Sequence, residues 1–211
     1  MTVQTTLLFT GDSITDAGRR TDPDGRLGGN LGDGYVRRIA EIAARHEKPV
    51  QVVNTGVGGD RTIDLLARWE VDVMQIKPDI LSVMIGVNDM WRRFDSGLST
   101  SAAEFRATYS VMLDRALSAL TLRRLVLLEP FLVPVTSEQH TWHTDDLDAK
   151  IQVVRDLAVH YDATLIPLND LFAAEARATG PASVIEDGVH PSAGGHELIA
   201  REWWRVMESA V

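Results

Sequence analysis

The chain has 211 residues, 45% of them hydrophobic and 24% charged, with a formal net charge of -9. This is the composition of an ordinary soluble globular protein, long enough for a single domain over residues 1-211 with a sizeable core. The acidic balance and the lack of a basic tract argue against nucleic acid or an anionic membrane as partner, and the absence of cysteine excludes disulfides, thiolate metal sites and a cysteine nucleophile.

The N-terminal stretch "MTVQTTLLFTGDS" has no basic region and only three consecutive apolar residues, so it does not read as a signal peptide. No run approaches the roughly 20 apolar residues of a membrane span. A cytoplasmic protein is the expectation.

The first predicted strand, Thr6–Phe9, breaks into Thr10-Gly11-Asp12-Ser13. A glycine-rich connection over residues 18 to 35, with Gly25, Gly28 and Gly29 at its centre, is expected to form part of a binding rim. Val36, Ile39, Ala40 and Ala43 then form a helical stripe. The second strand, Val50–Asn54, runs into "NTGVGGDR", and the third, Ile80–Ile85, into "GVNDMWRR". A second stripe comprises Phe105, Tyr109, Met112, Ala116 and Leu120, followed by the strand Leu125–Leu128. The segment 131–146 is a candidate lid, with Trp142 and His143 near the site or at a subunit contact. A third stripe, Leu147, Ile151, Val154, Ala158 and Tyr161, leads to the strand Thr164–Pro167. The cluster "EDGVHPSAGGH" precedes a final helix bearing Ile199, Trp203, Val206 and Ala210. Adjacent helical residues point about 100° apart, so one of Trp203 and Trp204 is expected in the core and the other exposed or at an interface.

Short strands rich in Val, Ile and Leu, alternating with helices, predict an α/β fold with a parallel sheet covered on both faces. Right-handed crossovers restrict its topology. Ligands of such sheets sit at the C-terminal strand ends. The polar clusters follow predicted strand ends or precede the last helix, so they can meet on one rim.

Each cluster alone has an ordinary reading. Ser13, or Asp16, is a reasonable helix N-cap. Asp187-x-x-His190 is compatible with a capping loop and a surface histidine. Asn88 suits a turn. "GDSIT" is not the G-x-S-x-G elbow, because Thr15 stands at the second glycine. "NTGVGGDR" lacks the third glycine of a dinucleotide loop, and no phosphate-binding loop occurs. Taken together the clusters suggest one chemistry. Ser13 needs a base, His190. That base needs an orienting carboxylate, Asp187. A tetrahedral oxyanion needs donors: Ser13 N–H, Gly56 N–H and the Asn88 amide. Trp91 and Arg92 follow Asn88 closely enough to wall an acyl or sugar pocket, although a large aromatic is as readily a packing residue. His196 lies six residues after His190, but no carboxylate-and-histidine set completes a metal site.

These blocks resemble the SGNH hydrolases, also called GDSL esterases and lipases. "GDSIT", "NTGVGGDRT", "GVNDMW" and "DGVHPSAGGH" occur in the family's order across residues 6 to 200. The resemblance implies a three-layer α/β/α sandwich with a five-stranded parallel sheet in flavodoxin-like order. It implies ester hydrolysis through a serine acyl-enzyme without a cofactor. It carries over Ser13 as nucleophile, His190 as general base and acid, and Asp187 as its orienter. Ser13, Gly56 and Asn88 become the oxyanion hole. Asp12, Trp91 and Arg92, beside these residues in the chain, are the candidate substrate contacts. "LGDGYV", "DLLARWEVDV" and "MIGVNDMWRRFD" are similar to bacterial intracellular acetylxylan esterases, which implies a small carbohydrate ester as substrate and a homo-oligomer. Alternatives are an esterase for other short-chain esters, lysophospholipids or thioesters, and a non-catalytic carbohydrate-binding module.

Overall fold

Side chains alternate across a strand, and the first strand applies that rule on both faces. Leu7 and Phe9 enter one apolar cluster and Leu8 the other, all with no exposed surface. A strand buried on both faces must carry helices on both. The computed structural model, which describes residues 4–19, 30–46 and 49–211, has this layering.

The sheet contains β1 (Thr5–Gly11), β2 (Val50–Asn54), β3 (Ile80–Met84), β4 (Arg124–Leu128) and β5 (Thr164–Ile166). All pairs are parallel, in the order β2-β1-β3-β4-β5. This is the flavodoxin-like order, whose direction of progression changes at β1 and β3. One face packs α2 (Tyr35–Arg45), α7 (Leu168–Thr179) and α8 (Ala193–Met207). The other packs α3 (Thr62–Trp69), α5 (Ala102–Ala119) and α6 (Asp148–His160). Two further helices, α1 (Ser13–Asp16) and α4 (Val87–Asp95), start just beyond the C-terminal ends of β1 and β3. They occupy the place where ligands bind in such sheets.

The predicted strands lie within a residue or two of those observed, because short buried apolar runs are unambiguous once bounded by Gly, Asn or Pro. The helical stripes are also present, with Ala40, Leu120, Tyr161, Val206 and Ala210 only partly covered at their edges. The expectation for Trp203 and Trp204 is corrected, since both are buried. Trp203 points into the sheet, packs on Phe9 at 5.1 Å between ring centroids, and donates its Nε1–H to Ser82 Oγ at 2.9 Å. Trp204 is covered from the side by His46 at the end of α2, at 5.2 Å. A helix wedged between a sheet and a neighbouring helix buries more than one stripe. Among the described residues no helix is long and apolar enough to cross a membrane. Gly25, Gly28 and Gly29 lie outside the described residues.

Candidate active site

The site begins where β1 passes β3. A Cβ on Gly11 would lie 2.0 Å from the Met84 carbonyl oxygen, so only glycine lets the chain turn here. Asp12 follows and caps α1, its Oδ1 accepting the Ile14 N–H at 3.0 Å. Ser13 is therefore the first residue of the helix and not its cap. Asp12 is 1% exposed, which corrects its expected role as a substrate contact. Burial pushes its carboxyl up to about 7, against the Ile14 N–H and His190 and with help from Asp89 and Asp60.

That shift has a sign opposite to the usual aspartate. An unfolded Asp titrates at about 3.9, so ionising Asp12 is harder in the folded chain. Its contribution to stability is complete below that value and is lost as pH rises through about 7. Asp12→Asn, which keeps an acceptor for Ile14, is therefore expected to gain on wild type between about pH 5 and about pH 8 in parallel urea melts. An equal stability difference at both pH values contradicts this.

The loop before the last helix brings the partner groups. His190 Nε2 lies 3.0 Å from Ser13 Oγ, and His190 Nδ1 lies 2.7 Å from Asp187 Oδ2. A carboxylate only accepts, so the ring presents Nδ1–H to Asp187 and its Nε2 lone pair to Ser13. Asp187 Oδ1 also accepts the backbone N–H groups of His190 at 2.8 Å and Val189 at 3.1 Å. Burial works to raise the Asp187 carboxyl, but bonds from the His190 ring and from those two N–H groups outweigh it and hold the carboxyl below the usual range.

The loop carrying this pair is held from behind. Gly188 adopts φ +108°, a conformation that favours glycine, with its missing side chain's space filled by Gln139. Gln139 donates Nε2–H to the Asp187 carbonyl at 2.7 Å and accepts the Val135 N–H at 2.8 Å. Val133 N–H donates to the Gly188 carbonyl at 2.9 Å. The segment 131–146 is thus a buttress beneath the loop. Trp142 is buried in it, stacked on Phe94 at 4.7 Å. His143 is engaged by the Leu132 carbonyl and Asp148.

The glycine cluster after β2 differs from expectation. The Gly56 N–H already donates to Asn54 Oδ1 at 2.9 Å. A Cβ on Gly56 would meet Asp16 N at 2.4 Å, so this glycine serves the close packing of α1. Asn54 is the organiser that sequence reading missed. Its Nδ2 also donates to the carbonyls of Thr15 at 2.7 Å and Leu31 at 2.8 Å. Three residues further on the turn is open. Gly59 has φ +86°, nothing within 4 Å of an added Cβ, and no hydrogen bond to its N–H among the described residues. An added Cβ on the adjacent Gly58 would lie 3.8 Å from Ser13 Cβ. Asn88, buried in the first turn of α4, donates one Nδ2–H to the Asp60 carbonyl at 3.0 Å. The amide is thereby oriented with a second N–H to spare.

Beside Ser13 and His190 opens a cleft of about 400 Å³, lined also by Ala17, Arg38, Glu186 and His196. His196 is pushed down to about 4, first by burial and then by Arg38. Its neutral Nδ1 accepts the Tyr35 N–H at 3.2 Å. Trp91 lies 5.7 Å from the His190 ring and walls its other side. Arg92 sits behind, paired with Asp95, its carbon 6.0 Å over the Trp91 ring and its Nη2 3.5 Å from Asn88 Oδ1. It does not line the cleft.

A model of the GDSL-like lipase/acylhydrolase family matches residues 9–198. The chain is similar to an acetylxylan esterase of Geobacillus stearothermophilus, 35% identical over 94% of this chain and 92% of that protein. An arylesterase of Vibrio mimicus is 25% identical over 82% of each chain. Among solved structures, Axe2, an acetylxylan esterase from Geobacillus stearothermophilus, superposes with a TM-score of 0.84 at 33% identity, covering 97% of this chain and 95% of that one. LAE5, an alpha/beta hydrolase enzyme from the metagenome of Lake Arreo, has the same TM-score at 29% identity, covering 99% and 97%. Match length, shared fold and serine-bearing strand end lead to one assignment: the chain belongs to the GDSL-like lipase/acylhydrolase family and is a serine carboxylic-ester hydrolase.

Proposed function

We propose that the chain removes short acyl groups, acetyl above all, from carbohydrate esters such as acetylated xylo-oligosaccharides, through an acyl-enzyme on Ser13. The observation that carries the mechanism is the unbroken path Ser13 Oγ–His190–Asp187, at 3.0 Å and 2.7 Å. In this reading Ser13 Oγ attacks the ester carbonyl while His190 Nε2 takes its proton. Asp187 steadies the imidazolium. The negative oxygen of the tetrahedral intermediate accepts from Ser13 N–H, from the second Nδ2–H of Asn88 and from Gly59 N–H, which takes the place expected of Gly56. His190 then returns the proton to the departing sugar oxygen. Water, deprotonated by His190, attacks the acyl-serine, and His190 returns that proton to Ser13 Oγ as the carboxylic acid leaves.

The likeness to an acetylxylan esterase supports the substrate class. A cleft lined by Arg38, Glu186 and His196 suits a hydroxyl-rich alcohol better than a lipid tail. Trp91 suits the small acyl side. The cysteine-free composition underlies our placing the enzyme in the cytoplasm, and a homo-oligomer is proposed on the family resemblance of the sequence motifs.

The test is acetate release from acetylated xylo-oligosaccharides, measured beside p-nitrophenyl esters of increasing chain length. Rapid deacetylation with a steep fall beyond short acyl chains is the expected result. Cleavage of p-nitrophenyl acetate without release from the oligosaccharide would discard the sugar substrate and keep the serine mechanism.

A further inference from the structure

One guanidinium lies behind all the proposed oxyanion donors. Arg68, in the last turn of α3, is largely covered. Its Nε–H donates to Asp60 Oδ2 at 2.6 Å. Its Nη1 donates to the Thr55 carbonyl and to Asp72 Oδ2, each at 2.6 Å. Its Nη2 donates to the Gly11 carbonyl at 2.9 Å.

Each of the three site-facing acceptors leads to a donor. Gly11 stands two residues before Ser13, on the bend that aims the Ser13 N–H. Thr55 and Asp60 bracket the turn that holds Gly59. The Asp60 carbonyl receives Asn88 Nδ2, so the same residue that Arg68 grips by its carboxylate orients the Asn88 amide. A planar fork with fixed donor directions can hold separate strand-end segments in register, which a lysine's single ammonium cannot. The energetic weight of a preformed oxyanion hole lies in its donors being placed before charge develops.

We infer that Arg68 is a positioning residue for ester hydrolysis, holding the Ser13, Gly59 and Asn88 donors in a common geometry without touching substrate. The inference rests on the oxyanion reading proposed above. It goes beyond that reading by assigning the donors' alignment to one side chain outside the cleft.

The experiment is a double-mutant cycle on p-nitrophenyl acetate hydrolysis, with thermal melts of every variant. Arg68→Met is expected to lower kcat by about 10- to 100-fold while KM moves less than about threefold, because only transition-state contacts loosen. In an Asn88→Ala background the same change is expected to cost several-fold less than in wild type, since one of the three donors it aligns is already gone. Arg68→Lys restores little of the rate. A role confined to stability would lower the melt and act equally in both backgrounds. The full Arg68→Met loss persisting in Asn88→Ala, or a wild-type kcat for Arg68→Met, overturns the inference. If Arg68→Met does not fold, Asp60→Asn is carried through the same cycle, with the same sub-multiplicative loss expected. If Asn88→Ala itself leaves kcat unchanged, the oxyanion reading fails and the positioning role fails with it. If Asn88→Ala is slow and the Arg68 cost is undiminished, only the positioning role fails.

Discussion

Ser13→Ala is expected to reduce kcat for acetyl-ester hydrolysis by a factor on the order of 10⁴ to 10⁶, with an unchanged fold. The size follows from the role, since no acyl-enzyme forms without Oγ and only donor contacts and binding remain. The unchanged fold follows from the contacts. Ser13 Oγ bonds to His190 Nε2, while the cap of α1 is supplied by Asp12 and the turn's end by the Ser13 carbonyl, which accepts the Ala17 N–H at 2.9 Å. The substitution therefore removes the proposed nucleophile and leaves the helix start intact. Acetate release and a thermal melt on the same preparation check both halves. Activity within about tenfold of wild type, in a preparation free of contaminating esterase, would remove Ser13 from the mechanism.

Asp187→Asn is expected to cost about 10⁴-fold in kcat through the proton's address and not through lost structure. The carboxamide oxygen of the variant can still accept the N–H groups of Val189 and His190, as Asp187 Oδ1 does at 3.1 Å and 2.8 Å. The Gln139 bond reaches the backbone carbonyl and is indifferent to the change. What differs is the atom facing His190 Nδ1, at 2.7 Å from Oδ2 in the wild type. An amide N–H there favours the tautomer with the proton on Nε2, which then points at Ser13 and can take nothing from it. A loss below about tenfold, with the melt preserved, would show that the carboxylate is not needed to set the tautomer.

Much of this can be read from residues alone. The strands are legible because buried parallel strands are written as short apolar runs with hard stops. The Ser13, Asn88 and Asp187-x-x-His190 clusters are readable only as a set, because each alone also suits a cap, a turn or a surface loop. What escapes the sequence depends on contacts from distant segments. Gly56 and Gly59 are indistinguishable as letters, and only the Asn54 carboxamide, by occupying the Gly56 N–H, separates a packing glycine from an open one. Asp12 reads as available to substrate because its cap to Ile14 and its burial are facts of the folded chain. The segment 131–146 has the composition of a surface loop, and nothing in it announces that Gln139 reaches the Asp187 carbonyl. Trp204 is beyond periodicity, which describes one helix, because it joins the main core cluster and meets His46 at the end of another.

The bond between Ser13 and His190 joins positions 177 residues apart. The proposed nucleophile opens the short helix that follows the first strand, and its proposed base lies in the loop before the last helix. Neither terminal region can become competent by itself, and neither can any fragment that leaves one of them out. A parallel sheet already demands distant pairings, which makes such chains slow to form. Here hydrolysis is placed at the far end of that process. In the proposed mechanism, a chain that holds the β1–β3 pairing without the docked Asp187–His190 loop has no base for Ser13. On that mechanism esterase activity is therefore a readout of completed topology.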